Sequence, residues 1–158
     1  MNGFKMVLII SVFLYAVPPG VGAPRAADIA IIVNRDVPVE NLTFSELRKI
    51  LMGDRQFWSS NLRVTLLVPA PAARERDVVL KNILQMTEAQ YRQYWIGKVF
   101  RADSTTGPKT VYSNEMTVSL VNNIPGSVAF IDAARVPRNV KVLRLEGLLP
   151  GDKGYPLN

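Results

Sequence analysis

The chain has 158 residues, with 19 lysines and arginines against 13 aspartates and glutamates, and a formal net charge of +6. It contains neither cysteine nor histidine, which excludes disulfides, thiol nucleophiles, imidazole bases and the commonest zinc ligands. The basic residues are spread along the chain without interleaved aromatics, so nucleic-acid binding has little support. We therefore expect a protein without a cofactor or a metal.

Residues 1–27 have the pattern of a secretory signal peptide. Lys5 precedes an unbroken apolar run from Met6 to Val17, and prolines and a glycine end that run before small residues. The run is shorter than the roughly 20 residues that a membrane-spanning helix needs. We expect cleavage between residues 23 and 27 and a periplasmic or secreted protein, not a lipoprotein because cysteine is absent. Without Lys5 and Arg25, 17 basic and 13 acidic residues remain, a net charge of +4.

The first predicted element after the signal peptide is a strand. Ile29 to Val33 is a continuous apolar run, which is typical of a strand covered on both faces. The run ends at Asn34. Its amide can face a ligand, because open α/β sheets bind ligands at the carboxyl ends of their strands. The same amide can instead cap a turn.

The stretch from Asn41 to Trp58 predicts a capped amphipathic helix followed by a tight turn. Thr43 and Glu46 stand at the spacing of a capping box, which fixes the start of the helix. Gly53 provides a left-handed residue at its end. The buried face is predicted to consist of Phe44, Leu47, Ile50 and Leu51.

A second strand, Arg63 to Val68, leads into a proline-rich turn and a helix that begins near Ala72. The helix is predicted to bury Val79, Leu80, Ile83 and Leu84 and to expose its first turns from Arg74 to Asp77. Arg74 and Arg76 can attract an anion through their guanidinium groups beside the start of the helix. They can equally pair with carboxylates.

The next two helices also begin with recognisable caps. Thr87 and Gln90 form a second capping box before a helix from Glu88 to Phe100. Its aromatic face is predicted to pack into the core, and consists of Tyr91, Tyr94, Trp95, Val99 and Phe100. Ser113 is predicted to cap a helix over 114–122 whose inward residues are Met116, Leu120 and Val121. A turn at Pro125 and Gly126, a strand to Ile131 and a last strand from Val140 to Leu145 complete the predicted elements.

Several stretches resemble the phosphate-binding-protein-like domain of the periplasmic solute-binding proteins of ABC transporters. They are the helix and turn of 42–53 with Trp58, the aromatic helix that starts at Met86, the turn and strand of 123–131, and the Gly-Tyr-Pro-Leu tail. The resemblance covers nearly all of residues 28–158. It implies an α/β fold like one lobe of a type II periplasmic binding protein, with a mixed sheet flanked by helices, in a short single-domain member.

The sequence departs from the family in one loop. The corresponding loop of the family carries an Arg-x-Asp-Gly-Ser-Gly-Thr type motif, whose hydroxyl and backbone N–H groups hold the oxyanion. This chain has PAPAARERD there, without glycine, serine or threonine, and its prolines remove N–H donors. The resemblance also implies that Ser127, next to the Pro-Gly turn, lies near the ligand cleft.

These observations lead to one expected function and one alternative. We expect an exported, non-enzymatic protein that binds phosphate or another small oxyanion, as the substrate-binding component of a phosphate uptake system. The candidate ligand-binding residues are Asn34, Arg74, Arg76 and Ser127. The alternative is a degenerate lobe that acts as an interaction or sensor-input module for an envelope transporter, receptor or sensor. A homodimer would rebuild a two-lobed cleft, since one lobe leaves a ligand open to water.

Overall fold

The computed structural model describes residues 28–104 and 107–158. The predicted signal peptide lies outside the described residues, so it stays a prediction. Among the described helices, none combines the length and the apolar character needed to cross a bilayer.

The described residues form eight strands and four helices. The strands are β1 Ile29–Val33, β2 Asn41–Leu42, β3 Phe57–Ser59, β4 Leu62–Arg63, β5 Thr65–Pro69, β6 Lys109–Val111, β7 Ser127–Asp132 and β8 Lys141–Leu145. The helices are α1 Phe44–Leu51, α2 Arg74–Val79, α3 Glu88–Phe100 and α4 Asn114–Asn123, with a π-helical turn at Leu80–Leu84 and a 3-10 turn at Ala133–Arg135.

Six strands make one mixed sheet in the order β2-β8-β1-β7-β5-β6, and β3 pairs with β4 in a separate hairpin. β5 runs parallel to both β6 and β7, whereas β1 runs antiparallel to β7 and β8. We call the end of the sheet where β5, β6 and β7 finish its carboxyl end, and the opposite end its amino end. Because β1 runs the other way, its last residue lies at the amino end. The predicted α/β fold with a mixed sheet flanked by helices is confirmed.

The sheet is covered on both faces, as the apolar run of β1 predicts. Ile29, Ile31 and Val33 point into a core shared with α1, α2 and α3. Ala30 and Ile32 point into a smaller core shared with α4. Alternate residues of a strand face opposite sides of its sheet, so an uninterrupted apolar strand fits only between two apolar layers.

The predicted starts of α1, α3 and α4 are confirmed, whereas α2, predicted to begin near Ala72, begins at Arg74. Glu46 N donates to the Thr43 hydroxyl, and Thr43 N donates to the Glu46 carboxylate, which completes a capping box at α1. Thr87 with Gln90 forms the same arrangement at α3, and the Ser113 hydroxyl accepts from the backbone of Met116 at α4. Each cap satisfies N–H groups that the helix itself leaves without a partner.

Four residues that were predicted to be buried are exposed. They are Phe44, Val99, Phe100 and Met116, with exposed fractions of 40 to 90%. All four lie near a helix end, where the helix extends beyond the edge of the core. The periodicity of apolar residues does not show where the core ends. Arg76 departs in the opposite direction, since it was predicted to be exposed and is buried. The predicted strand of 63–68 is divided at Val64, where the chain leaves the β3–β4 hairpin and enters the sheet.

Candidate functional site

Asn34 and Ser127 lie together at the amino end of the sheet. Asn34 N donates to the backbone oxygen of Ser127 at 3.0 Å. The Asn34 amide and the Ser127 hydroxyl both donate to the backbone oxygen of Val121, at 2.8 and 3.2 Å. The Asn34 amide oxygen accepts from the backbone of Asp36. These buried side chains therefore tie the end of α4 to the sheet and shape the turn after β1.

Arg76 lies at the carboxyl end, where its guanidinium group is held on several sides. Nε and Nη2 donate to the two carboxylate oxygens of Glu88 at 2.6 and 2.8 Å. Nη1 donates to the backbone oxygen of Pro69 at 3.0 Å, and the group lies 5.4 Å from the centre of the Tyr91 ring. Such two-point pairing fixes the plane of the guanidinium. Arg76 thus joins the end of β5 to the start of α3.

The four candidate residues do not form one site. Asn34 and Ser127 are at the amino end of the sheet, whereas Arg76 and the exposed Arg74 are at the carboxyl end. The separation follows from the antiparallel direction of β1, which places its last residue away from the carboxyl ends of β5, β6 and β7. Binding of an anion by any of the four residues stays a prediction.

A cleft of about 250 Å³ opens at the carboxyl end, between the start of α2 and the start of α4. We call it the carboxyl-end cleft. Its charged lining consists of Glu75, Glu115 and Arg135, and the side chain of Tyr112, which is 76% exposed, also lines it. Two carboxylates beside one guanidinium give this cleft a negative balance, which opposes the entry of an anion.

A second cleft, of about 260 Å³, lies at the amino end, where β5 and β6 begin. We call it the basic cleft. Its charged lining residues are Arg55, Arg63 and Lys109, and its polar ones include Gln56 and Thr65. No carboxylate is among the described residues that line it. The basic cleft therefore combines three positive side chains with neutral donors.

Close backbone contacts build the walls of the basic cleft. Gly53 has a φ of +70°, as its predicted left-handed role requires, and a Cβ there would lie 2.4 Å from the Trp95 ring. The indole N–H of Trp58 donates to the backbone oxygen of Gly126 at 2.8 Å, which fastens the β3–β4 hairpin to the sheet. The turn after α1 and the hairpin thus hold Arg55 and Arg63 beside the first residues of β5 and β6.

The basic cleft cannot be predicted from the sequence, because its residues belong to no motif. Arg63 lies just before β5 and Lys109 is the first residue of β6, but 46 positions separate them in the chain. Only the parallel pairing of β5 with β6 brings the two strand starts together. The only indication in the sequence is that both strands begin beside a basic residue. This indicates a shared cleft only once the pairing of β5 with β6 is known.

The part of the chain that the structure describes contains no cluster of acidic side chains suited to a metal ion. Among residues 28–104 and 107–158, no three or more acidic side chains converge in a way that could hold a metal ion.

No protein-family model matches this chain. Its fold is similar to that of solved phosphate-binding proteins. One is an ABC-type phosphate transport receptor from Vibrio cholerae, with a TM-score of 0.62 and 24% identity over 78% of this chain and 48% of that one. Another is a putative phosphate ABC transporter substrate-binding protein with bound phosphate from Clostridium perfringens, with a TM-score of 0.63 and 16% identity over 78% and 46%.

PstS from Borrelia burgdorferi gives a TM-score of 0.64 and 15% identity over 82% of this chain and 53% of that one. The chain therefore spans about half the length of the phosphate-binding proteins that it matches. At these identities, the likeness concerns the fold. The described chain therefore has the fold of about half of a phosphate-binding protein, in agreement with the fold that the resemblance of its sequence implies.

Proposed function

We propose that this chain is an exported, non-enzymatic binding protein for phosphate or another small oxyanion. The observation that carries the proposal is the match of 78 to 82% of the chain to proteins described as phosphate receptors or phosphate-binding proteins. The net charge of +4 that remains after removal of residues 1–27 has the sign that attracts an anion.

The proposed setting is a phosphate uptake system of the cell envelope, in which this chain is the substrate-binding component. The clefts of the described residues open to solvent. We propose that an envelope transporter, or a second copy of the chain, covers the cleft that holds the anion. Sedimentation that shows only monomer at high concentration would exclude the second copy.

The direct test is isothermal titration of the chain from Asp28 to Asn158, which contains every described strand and both cores. Phosphate and sulfate are titrated at low and high salt. We expect saturable heat with at least one anion, and weaker binding at high salt because screening reduces attraction between exposed charges. No heat with either anion would contradict the proposal.

A second candidate function is a protein-interaction or sensor-input module without a small-molecule ligand. Two observations favour it, namely the two-point pairing of Arg76 with Glu88 and the negative balance of the carboxyl-end cleft with its exposed Tyr112. If the chain is such a module, a photo-crosslinking residue at position 112 will form an adduct of one defined mass with a protein of the cell envelope. The same residue at position 153, which is also exposed, serves as the control.

A further inference from the structure

We propose that the basic cleft is the anion site of this protein, and that it binds a phosphate-type oxyanion through Arg55, Arg63 and Lys109. This inference rests on the proposed oxyanion-binding function and deepens it. It places the ligand at the amino end of the sheet, away from Arg74 and Arg76.

The charges of the two clefts favour this placement. The clefts have nearly the same volume, about 260 Å³ for the basic cleft and about 250 Å³ for the carboxyl-end cleft. The described lining of the basic cleft carries three cations and no carboxylate, whereas the carboxyl-end cleft carries two carboxylates and one cation. An oxyanion of charge −1 or −2 is therefore attracted to the first and repelled by the second.

The guanidinium groups of the basic cleft are held in place by aromatic rings. Arg55 lies 5.2 Å from the ring centre of Trp58, and Arg63 lies 5.7 Å from that of Phe57. Both rings belong to β3, so one strand supports both cations. A guanidinium that is already positioned loses less side-chain entropy when a ligand binds.

The positive charge of Arg55 is only partly balanced within the protein. Its Nη1 lies 3.4 Å from Oε1 of Glu46, in a pair whose side chains are 23 and 43% exposed. The other carboxylate oxygen of Glu46 accepts from the backbone of Thr43 at 2.9 Å, in the capping box of α1. Long pairs with one exposed partner contribute little. The guanidinium group of Arg55 can therefore still pair with an anion in the cleft.

Lys109 is an exposed cation of the cleft. Its side chain is exposed, and it makes no ion pair with any residue in 28–104 or 107–158. An ammonium group on a flexible stem can close on an anion that the two guanidinium groups have oriented. Gln56 and Thr65 in the same lining add a neutral amide and a hydroxyl.

The size of the basic cleft limits the ligand to a small one. Its volume of about 260 Å³ lies below the roughly 300–1,000 Å³ of sites for drug-sized ligands. Inorganic phosphate and the phosphate monoester of a lipid head group share the required chemistry. The test therefore has one arm for each source.

The test compares the chain from Asp28 to Asn158 with three variants. Arg63→Gln with Lys109→Gln removes two charges from the basic cleft. Arg138→Gln with Lys153→Gln removes the same charge elsewhere on the exposed surface, and Arg135→Gln changes the carboxyl-end cleft. Inorganic phosphate is titrated by calorimetry. Binding to phosphatidylcholine vesicles with and without phosphatidic acid is measured by co-sedimentation.

We expect phosphate to bind about tenfold or more weakly to the basic-cleft variant, because it loses two charge-assisted hydrogen bonds. The other two variants should match the unmodified chain. Binding to phosphatidic acid alone, lost in the basic-cleft variant, would identify a lipid head group as the source; it would support the site and contradict the soluble-oxyanion function. Anion binding that the basic-cleft variant retains unchanged would overturn this inference and leave the proposed function standing.

Binding of neither free phosphate nor phosphatidic acid would overturn this inference, and the proposed function falls with it only if sulfate does not bind either. A measurement on the unmodified chain keeps the inference testable if the double variant fails to fold. Phosphate should slow acetylation of Lys109 and leave that of the exposed Lys153 unchanged. Equal rates for Lys109 with and without saturating phosphate would overturn the assignment.

Discussion

The guanidinium of Arg76 and the carboxylate of Glu88 form a two-point ion pair, with distances of 2.6 and 2.8 Å, between the first turns of α2 and α3. The Arg76 side chain is 9% exposed and that of Glu88 is 32% exposed. This pair accounts for the burial of an arginine that the sequence pattern predicts to face solvent. It also engages one of the two arginines for which the sequence leaves two roles open, an anion ligand or the partner of a carboxylate.

Removal of the Glu88 carboxylate should destabilise the fold strongly. Glu88→Ala leaves the buried charge of Arg76 without its partner, and we expect the free energy of unfolding to fall by about 2–3 kcal/mol. The measurement is urea denaturation followed by circular dichroism. Asp103→Ala is the matched control, because the Arg101–Asp103 pair is 62 and 51% exposed and should be worth about 1 kcal/mol or less. An equal decrease in the free energy of unfolding for the two variants would show that the buried pair stabilises the fold no more than the exposed pair does.

Gly126 should tolerate no side chain. It has a φ of +71°, and a Cβ there would lie 2.0 Å from the backbone oxygen of Arg63. We expect Gly126→Ala to cost about 3 kcal/mol or more, because neither backbone can move without breaking the contact of Trp58 with Gly126. Gly147 has a φ of +80° with open space around it. Gly147→Ala should therefore cost only the backbone strain of about 1 kcal/mol, and a similar cost at both positions would contradict the packing argument.

Two buried tyrosines should make the fold sensitive to alkali. Burial raises the pKa of Tyr91 to about 12 and raises the pKa of Tyr155 as well. Both groups hold their protons more tightly in the folded state than in the unfolded one, where the pKa is about 10. Their contribution to stability is therefore complete below about pH 10 and is lost as the pH rises through the folded pKa.

The alkaline loss can be assigned by unfolding the protein in urea from about pH 9 to about pH 12. The double variant Tyr91→Phe, Tyr155→Phe should be less stable at neutral pH, because two buried backbone oxygens lose their donors. Its stability should nevertheless fall less steeply with rising pH. A slope as steep as that of the unmodified chain would assign the alkaline loss to other groups.

The predicted signal peptide gives a prediction about the mature chain. Expression of residues 1–158 in a Gram-negative host should yield a periplasmic protein whose first residue follows a cut between positions 23 and 27. Mass spectrometry of the periplasmic fraction measures the new terminus. Retention of the whole chain with the cell membrane would favour an uncleaved anchor over a signal peptide.

The sequence was sufficient for the elements whose signals are local. The capping boxes at Thr43 and Thr87, the left-handed Gly53 and the turn at Pro125 and Gly126 are predicted and are present. Each of these features depends on residues within a few positions of one another, so short-range chemistry determines them. The continuous apolar run of β1 likewise indicated a sheet with two covered faces.

The candidate site could not be predicted because it depends on strand direction. Asn34 ends a strand, and the rule that ligands bind at carboxyl ends holds for parallel neighbours; β1 is antiparallel to both of its own. In the same way, Arg63 and Lys109 line one cleft only because β5 pairs with β6. The exposure of Phe100 and the burial of Arg76 also depend on contacts between different elements. The periodicity of apolar residues within one helix does not predict such contacts.

The most direct test of the account is a phosphate titration of the isotope-labelled chain from Asp28 to Asn158, followed by amide chemical shifts. If this lobe is an oxyanion-binding protein, the shifts will saturate, and the largest will fall on amides near Arg55, Arg63, Thr65 and Lys109. Shifts that cluster instead around Ala73 and Ser113 would place the anion in the carboxyl-end cleft and contradict the assigned site. A spectrum that neither phosphate nor, in a second titration, sulfate changes would contradict oxyanion binding itself.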